Sequence, residues 1–329
     1  MEPYVHDAVQ DMHMARDLLL ETITGVSPDD WGKFVPYGSR TLHDLLAHIA
    51  AADHTWARAA QGLLRGEGAD AKPMAPEETR AVRERAMKRG RRLTPAQLIE
   101  EMESRRRLLL GLYDLLEPRH LALSLPSFGA EHNSVRERIW RGYHDRLHAA
   151  DIRRALERNW YPQQLTFLPQ VQPGVHALTT GTDDTLYVIY SVDPAAWELP
   201  SMLPEWTNRQ LLAHIATGDW VLHTQLRHIV EGDAVAQWPN VDDGNAERIA
   251  ERRFSNERAL IDEYLSMRHE TMLLLAQLKP KHLQLTMEFW WEPRPNEHTV
   301  LDYVLMFAMH ERRHRDQLRP AMKYARSMR

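Results

Sequence analysis

The chain has no cysteine. That excludes disulfide staples, thiolate zinc sites and a cysteine nucleophile, so any metal must be held by His, Asp or Glu, and any thiol must come from outside. Also missing is a continuous apolar run of the ~20 residues that a bilayer span requires. Positive charge is not in excess: 41 Lys plus Arg stand against 46 Asp plus Glu, a formal charge of -5. Neither nucleic acid nor a membrane is therefore an expected partner. The opening MEPYVHDAVQD lacks the basic and apolar regions of a secretion signal, which points to the cytoplasm. Nothing suggests large-scale disorder, since 43% hydrophobic and 26% charged residues describe a soluble globular chain.

What the chain does have is a repeat written in histidine. In RGYHDRLHAADIRRAL, His144 and His148 stand four residues apart in a segment without a helix breaker, so a helix aims both imidazoles out of one face. His310 and His314 in FAMHERRHRDQL do the same. Upstream, His48 and His214 each sit in an identical LLAHIA. All three histidines recur at one offset of 166 residues. Two domains are expected from the length as well, at the usual ~100–200 residues each.

The rest of the chain reads as helices. Val9, Met12, Leu19, Ile23 and Val26 step by three, four or seven, the spacing of one helical face. Thr41 caps a second helix, about 42 to 64, that carries His48 and is stopped by Gly66 and Gly68. Residues 67–78, with Pro73 and Pro76, read as a loop, and the basic stretch Arg80 to Arg92 as a solvated helix face. Thr94, Pro95 and Gln97 form a capping box with proline at the first helical position, opening a third helix on Leu98, Met102, Leu109, Leu112 and Leu116. A fourth, about 134 to 158, carries His144 and His148. After a proline- and glutamine-rich linker the pattern returns. Within it TDDTLYVIYSV has strand propensity, but Ile189 and Val192 match Ile23 and Val26, so helix is expected. The third helix of the second copy is offset by 162, because a shorter connection through Pro239 and Gly244 precedes it. A longer one, LKPKHLQLTMEFWWEPRPNEH, restores 166 for the last helix, about 299 to 322. The fold class is thus all-α, two tandem four-helix bundles: residues 1–160, a linker at 161–173, and 174–329.

A four-helix bundle with LLAHIA on its second helix and HxxxH on its fourth resembles the DinB/YfiT-like superfamily, and the resemblance covers both copies. It implies a three-histidine divalent metal site in each: His48, His144 and His148, then His214, His310 and His314. It also implies a metal-dependent thiol S-transferase or hydrolase acting on a small molecule, with a small-molecule thiol as cosubstrate in some relatives. An intramolecular pseudo-dimer of the two bundles is implied too, because single-bundle relatives form homodimers. Chemically, three imidazoles suit Zn, Ni or Fe and leave an open position for water or substrate.

Around the histidines, the small residues Ala51 and Ala52, and Thr217 and Gly218, leave room for a ligand. Trp140 and Arg141 precede the first HxxxH, where Met306 and Phe307 precede the second, so the first pocket suits an anionic group and the second is more apolar. Asp145 and Glu311 are candidate acid/base groups, although the helix turns each about 100° from its histidine neighbour. Asp53 and Asp219, also matched at 166, orient a site residue or simply face solvent. Three readings compete with a metal enzyme. One is a non-catalytic metal or ligand-binding protein of stress response; another is six histidines bonded to carboxylates with no metal. The third is a zinc peptidase, since His310, Glu311 and His314 spell HExxH; no third ligand follows, and the first copy has aspartate in place of the glutamate. His43, His54, His223, His228 and His269 lack matched partners and are expected to be exposed or locally bonded.

Overall fold

The computed structural model describes residues 2–35, 40–65, 75–123, 134–157, 165–232, 234, 241–287 and 298–326. Gly66, Gly68, Pro73, Pro239, all of FWWEPRPNE and the start of the linker lie outside them. The chain divides into two compact units, Met1–Pro162 and Gln163–Arg329, and its described residues are overwhelmingly helical, as expected of an all-α fold.

The first unit is built on four long helices and one more than the pattern predicts. α1 (Pro3–Thr24) lies along α7 (Gly142–Glu157), and α2 (Leu42–Arg65) lies along α4 (Pro95–Tyr113). Between α2 and α4 comes α3 (Pro76–Gly90), which packs on α2. Pro76 is thus not a loop residue. It opens α3 at the first turn, where its missing N–H costs nothing and Glu77 and Glu78 complement the helix dipole. Thr94 caps α4 as its sequence requires, accepting from Gln97 N while Gln97 Oε1 accepts from Thr94 N. Leu19, Leu42, Leu46, Leu98, Met102 and Ile152 join the α1, α2, α4 and α7 faces in one core.

The expected single helix from 134 to 158 is two pieces. After the short α5 (Pro118–Leu121), α6 (Val135–Arg138) starts in a Ser134–Glu137 capping box, and the chain breaks at 139–141 before α7 begins. At the start of α7, Gly142 lets the helix approach α1 closely. A Cβ there would stand 2.3 Å from Asp11 Oδ2 and 2.8 Å from Asp11 O on α1, and Asp11 is itself clamped by Arg146 at 2.9 and 3.0 Å. Gly142→Ala should therefore cost about 1–3 kcal/mol by overpacking. Gly111→Ala on α4, where a Cβ meets nothing within 4 Å, should instead gain about 0.5–1 kcal/mol. Urea midpoints of the two variants read the contrast directly.

The second unit repeats the plan. α8 (Gln172–Ser191) lies along α12 (Val300–Leu318), and α9 (Asn208–Gly232) lies along α11 (Glu257–Gln277). The strand-like TDDTLYVIYSV is helical within α8, with Leu186 and Ile189 buried. Burial against the bundle outweighs local propensity here. Gly244, expected in a loop, belongs to α10 (Val241–Glu251), which packs on α9 as α3 does on α2. Two-residue strands β1 (Thr286–Met287) and β2 (His298–Thr299) pair antiparallel and deliver the chain to α12, which Thr299 caps in a box with Asp302. Helical structure starts ahead of Gly174, and Val171 is already in this unit's core with Leu178, Leu222 and Val304.

Candidate metal centres

In the first unit α2 presents His48 to His144 and His148, one helical turn apart on α7. Their Nε2 atoms meet: His48 to His144 at 3.4 Å and His144 to His148 at 3.2 Å. In the second, α9 and α12 bring His214 Nε2 within 3.2 Å of His310 Nε2, which lies 3.0 Å from His314 Nε2. Every ring but the half-buried His310 is buried. Nitrogens ~2.0–2.1 Å from a tetrahedral ion stand about 3.3 Å from one another. In both triads two of the three nitrogen pairs have that spacing and all lie within 4.8 Å, so the residues fit the metal that the resemblance implies.

At His148 and His314 the other ring nitrogen supports the same use. His148 Nδ1 lies 3.0 Å from Asp151 Oδ2 and His314 Nδ1 lies 2.7 Å from Gln317 Oε1. An acceptor there holds the proton on Nδ1 and leaves the Nε2 lone pair to a metal. His48 differs: a guanidinium only donates, so its Nδ1 accepts from Arg83 of α3 at 2.9 Å, which sets the proton on Nε2, and that contact has to give way for His48 Nε2 to ligate. Buried Nδ1 atoms of His144 and His214 have no partner.

Burial is the first cause that disfavours the charged form of His48, His144, His214, His310 and His314, and neighbouring imidazoles add to it at the first four. His48 is pushed well below its ordinary value, His144 to about 3, His214 to about 2 and His310 to about 3. Burial lowers His314 as well. Neutral imidazole is the form that ligates. The sign for stability follows: below pH 6.5 the unfolded chain takes up protons that the folded triads refuse, so the metal-free protein should lose stability as pH falls from 6.5 toward the folded values. Each imidazole that behaves so contributes a slope of about 1.4 kcal/mol per pH unit. Urea midpoints between pH 7.5 and 5 check this, and a flat profile would contradict buried neutral triads.

Beneath each triad lies a buried ion cluster. In the first unit Arg16 reaches Asp53 (2.7 Å) and Asp145 (2.9 Å), and Arg106 reaches the same two carboxylates (3.0 and 2.9 Å). In the second, Arg268 alone spans Asp219 (2.6 Å) and Glu311 (2.7 Å), helped by Thr182, the counterpart of Arg16, and by a short bond from the Tyr264 hydroxyl to Glu311. Burial raises Asp145, but the Arg106 and Arg16 charges prevail and hold it well below the carboxylate range. Asp219, with one arginine to share, is raised by burial. Asp53 and Asp219 are therefore not solvent-facing: they lie in the interior, 0% and 4% exposed. Asp145 and Glu311 are committed to guanidinium groups, so HERRH lacks the free glutamate of a zinc peptidase.

The expected pocket residues are spread more widely. A Cβ on Gly218 would touch the His310 ring at 3.6 Å, so this position borders the second triad; Ala51, Ala52 and Thr217 are buried. Trp140 packs edge-on against Tyr4, 5.6 Å between ring centres. Arg141 stacks at 3.9 Å on Trp56, whose ring lies 4.9 Å from that of His144. Met306 packs against the apolar core, and Phe307 belongs to it, 6.1 Å from the His310 ring. Sequence reasoning missed Trp56, Arg83 and the buried arginines. Arg106 and Arg268 share the 162-residue offset of the third helices, a signal that was available.

A family model described as the DinB superfamily matches residues 11–152 and again residues 177–318. No curated protein and no solved structure matches the chain at a significant level.

Proposed function

The chain belongs to the DinB superfamily through both of its halves, and on that premise we propose that each triad binds one divalent metal ion and acts on a small molecule. The observation that carries this reading is the convergence of three Nε2 atoms in each unit, two of the three pairs standing 3.0–3.4 Å apart and all within 4.8 Å. His48, His144 and His148 would hold one ion, and His214, His310 and His314 the other. A three-imidazole site leaves a position open, and the ion when bound supplies Lewis acidity to a water or thiol there. The protein's own share is to disfavour protonation of His48, His144, His214, His310 and His314 by burial, to fix Nδ1 of His148 and His314 through Asp151 and Gln317, and to brace α2 against α7 and α9 against α11 and α12 through the ion clusters.

The reaction proposed is transfer of a small-molecule thiol to an electrophile, or hydrolysis. The thiol would have to arrive as cosubstrate, because the chain has no cysteine. A second reading, a non-catalytic metal or ligand binder, draws on the commitment of Asp145 and Glu311 to buried ion pairs, which removes them as free acid or base groups. One experiment separates the two. Protein loaded with zinc, nickel or iron(II) is given a panel of small thiols with an electrophile, and separately activated esters. Turnover that disappears in His148→Ala and His314→Ala supports the enzyme, whereas a thermal shift without turnover supports the binder.

A further inference from the structure

The two units differ most where α7 and α12 begin. Arg141 is only 8% exposed, and among the described residues no carboxylate pairs with it. Its partners are the Tyr143 hydroxyl at 3.4 Å, the Tyr113 hydroxyl and the face of Trp56, and its Nε is buried without a partner. A buried guanidinium without a counter-ion is costly, and the other buried arginines, Arg16, Arg106, Arg154, Arg268 and Arg315, all have carboxylates. Arg141 thus holds unused capacity for a planar anion. It does so next to the first triad: Trp56, on which it stacks, is in edge contact with His144. A second cation, Arg83, reaches the same triad at His48.

In the second unit these positions are apolar. Arg141 becomes Phe307, Trp56 becomes Leu222, Tyr143 becomes Met309 and, in the third-helix register, Tyr113 becomes Leu275. Phe307, Leu222 and Leu275 are all buried in that unit's core.

We propose that the first centre carries an anion subsite, built by Arg141 on Trp56 with Tyr113 and Tyr143, that selects small molecules bearing a carboxylate or phosphate, and that the second centre has no such subsite. This deepens the metal-site reading by assigning a substrate class to one of the two centres. The ligand's charged end would pair with the guanidinium, and its reacting end would reach toward the histidines.

The test uses the full chain, zinc-loaded and chelator-treated in parallel, titrated with 4-fluorobenzoate and with 4-fluorophenyl phosphate while the fluorine resonance is followed; neutral 4-fluorobenzamide is the control. At least one anion should bind saturably at one equivalent per chain, and the tighter of the two names the headgroup. Arg141→Gln should weaken it at least tenfold, Trp56→Leu should weaken it too, and Arg141→Lys should retain part of it. Phe307→Leu should leave it unchanged. Circular dichroism establishes that each variant is folded; were Arg141→Gln not, Trp56→Leu and Arg141→Lys carry the comparison. Equal binding of the amide, two equivalents per chain, indifference to Arg141 and Trp56, or no saturable binding of either anion overturns the proposal. Arginine-dependent binding to chelator-treated protein would support the subsite whatever the metal content proves to be, so the two readings fail separately.

Discussion

His144→Ala should weaken zinc binding at the first centre by more than about 100-fold and leave the second centre untouched. Second-shell changes at metal sites already cost about 10–100-fold, and His144 is more than that. Its Nε2 is the atom close to both other ligands, 3.4 Å from His48 and 3.2 Å from His148. Removing it leaves two imidazoles on different helices with no nitrogen between them. The side chain lost is a ring whose Nδ1 is unpartnered, so folding should survive. Competition against a chelator, followed by metal analysis of the tag-free protein, should give two ions per wild-type chain and one per variant. His310→Ala, whose ring bridges His214 and His314 in the same way, should mirror it.

The second large effect is on stability. Arg268→Met should destabilise the second unit by about 3–5 kcal/mol, because it strands Asp219 and Glu311 in the interior without their shared cation. Arg16→Met in the first unit should cost less, since Arg106 still reaches both Asp53 and Asp145. The pH dependence distinguishes a stranded charge from simple loss of packing. Burial already raises Asp219 with Arg268 present; without the arginine its folded value rises further above the unfolded one. A carboxyl so raised is stabilising when protonated and loses that contribution as pH rises, so the variant's deficit relative to wild type should shrink on acidification. Denaturant titrations of both proteins at pH 7.5 and 5.5 measure the difference. An equal deficit at both values would mean that cavity formation dominates.

Much of this was legible in the sequence because the repeat prints the fold twice. The histidine triads needed only helix geometry and an unchanged offset, and the helical state of TDDTLYVIYSV followed from its match to the α1 core. Two kinds of feature were not legible. α10 carries little apolar face of its own and packs on one neighbour, so periodicity did not mark it; α3 was read as a basic helix face, but its start at Pro76 and its packing on α2 were not. Neither the break before α7 nor the close approach of Gly142 to Asp11 across two helices is encoded in a local pattern.

The buried arginines are a different case. The apolar stripe of α1 jumps from Met12 to Leu19 and that of α4 from Met102 to Leu109, and the skipped inward positions hold Arg16 and Arg106. A charged residue in such a gap reads as surface until a carboxylate on a facing helix is found for it, and Asp53 and Asp145 are those carboxylates. Matching alone does not make a functional site either. His120 and His282 correspond in the third-helix register, yet each imidazole accepts from a backbone N–H three residues earlier, at 3.0 and 3.2 Å, and closes a turn. What separates the triads from that pair is the convergence of nitrogens from two helices.

That convergence is best tested by titrating the chelator-treated, tag-free full chain with cobalt(II) and following its visible ligand-field absorption, which is strong for four-coordinate nitrogen sites. Two three-histidine centres predict a rise that breaks at two equivalents per chain, at one in His148→Ala and in His314→Ala, and vanishes in the double variant. Absorption that fails to appear, or that persists unchanged in the double variant, would contradict them.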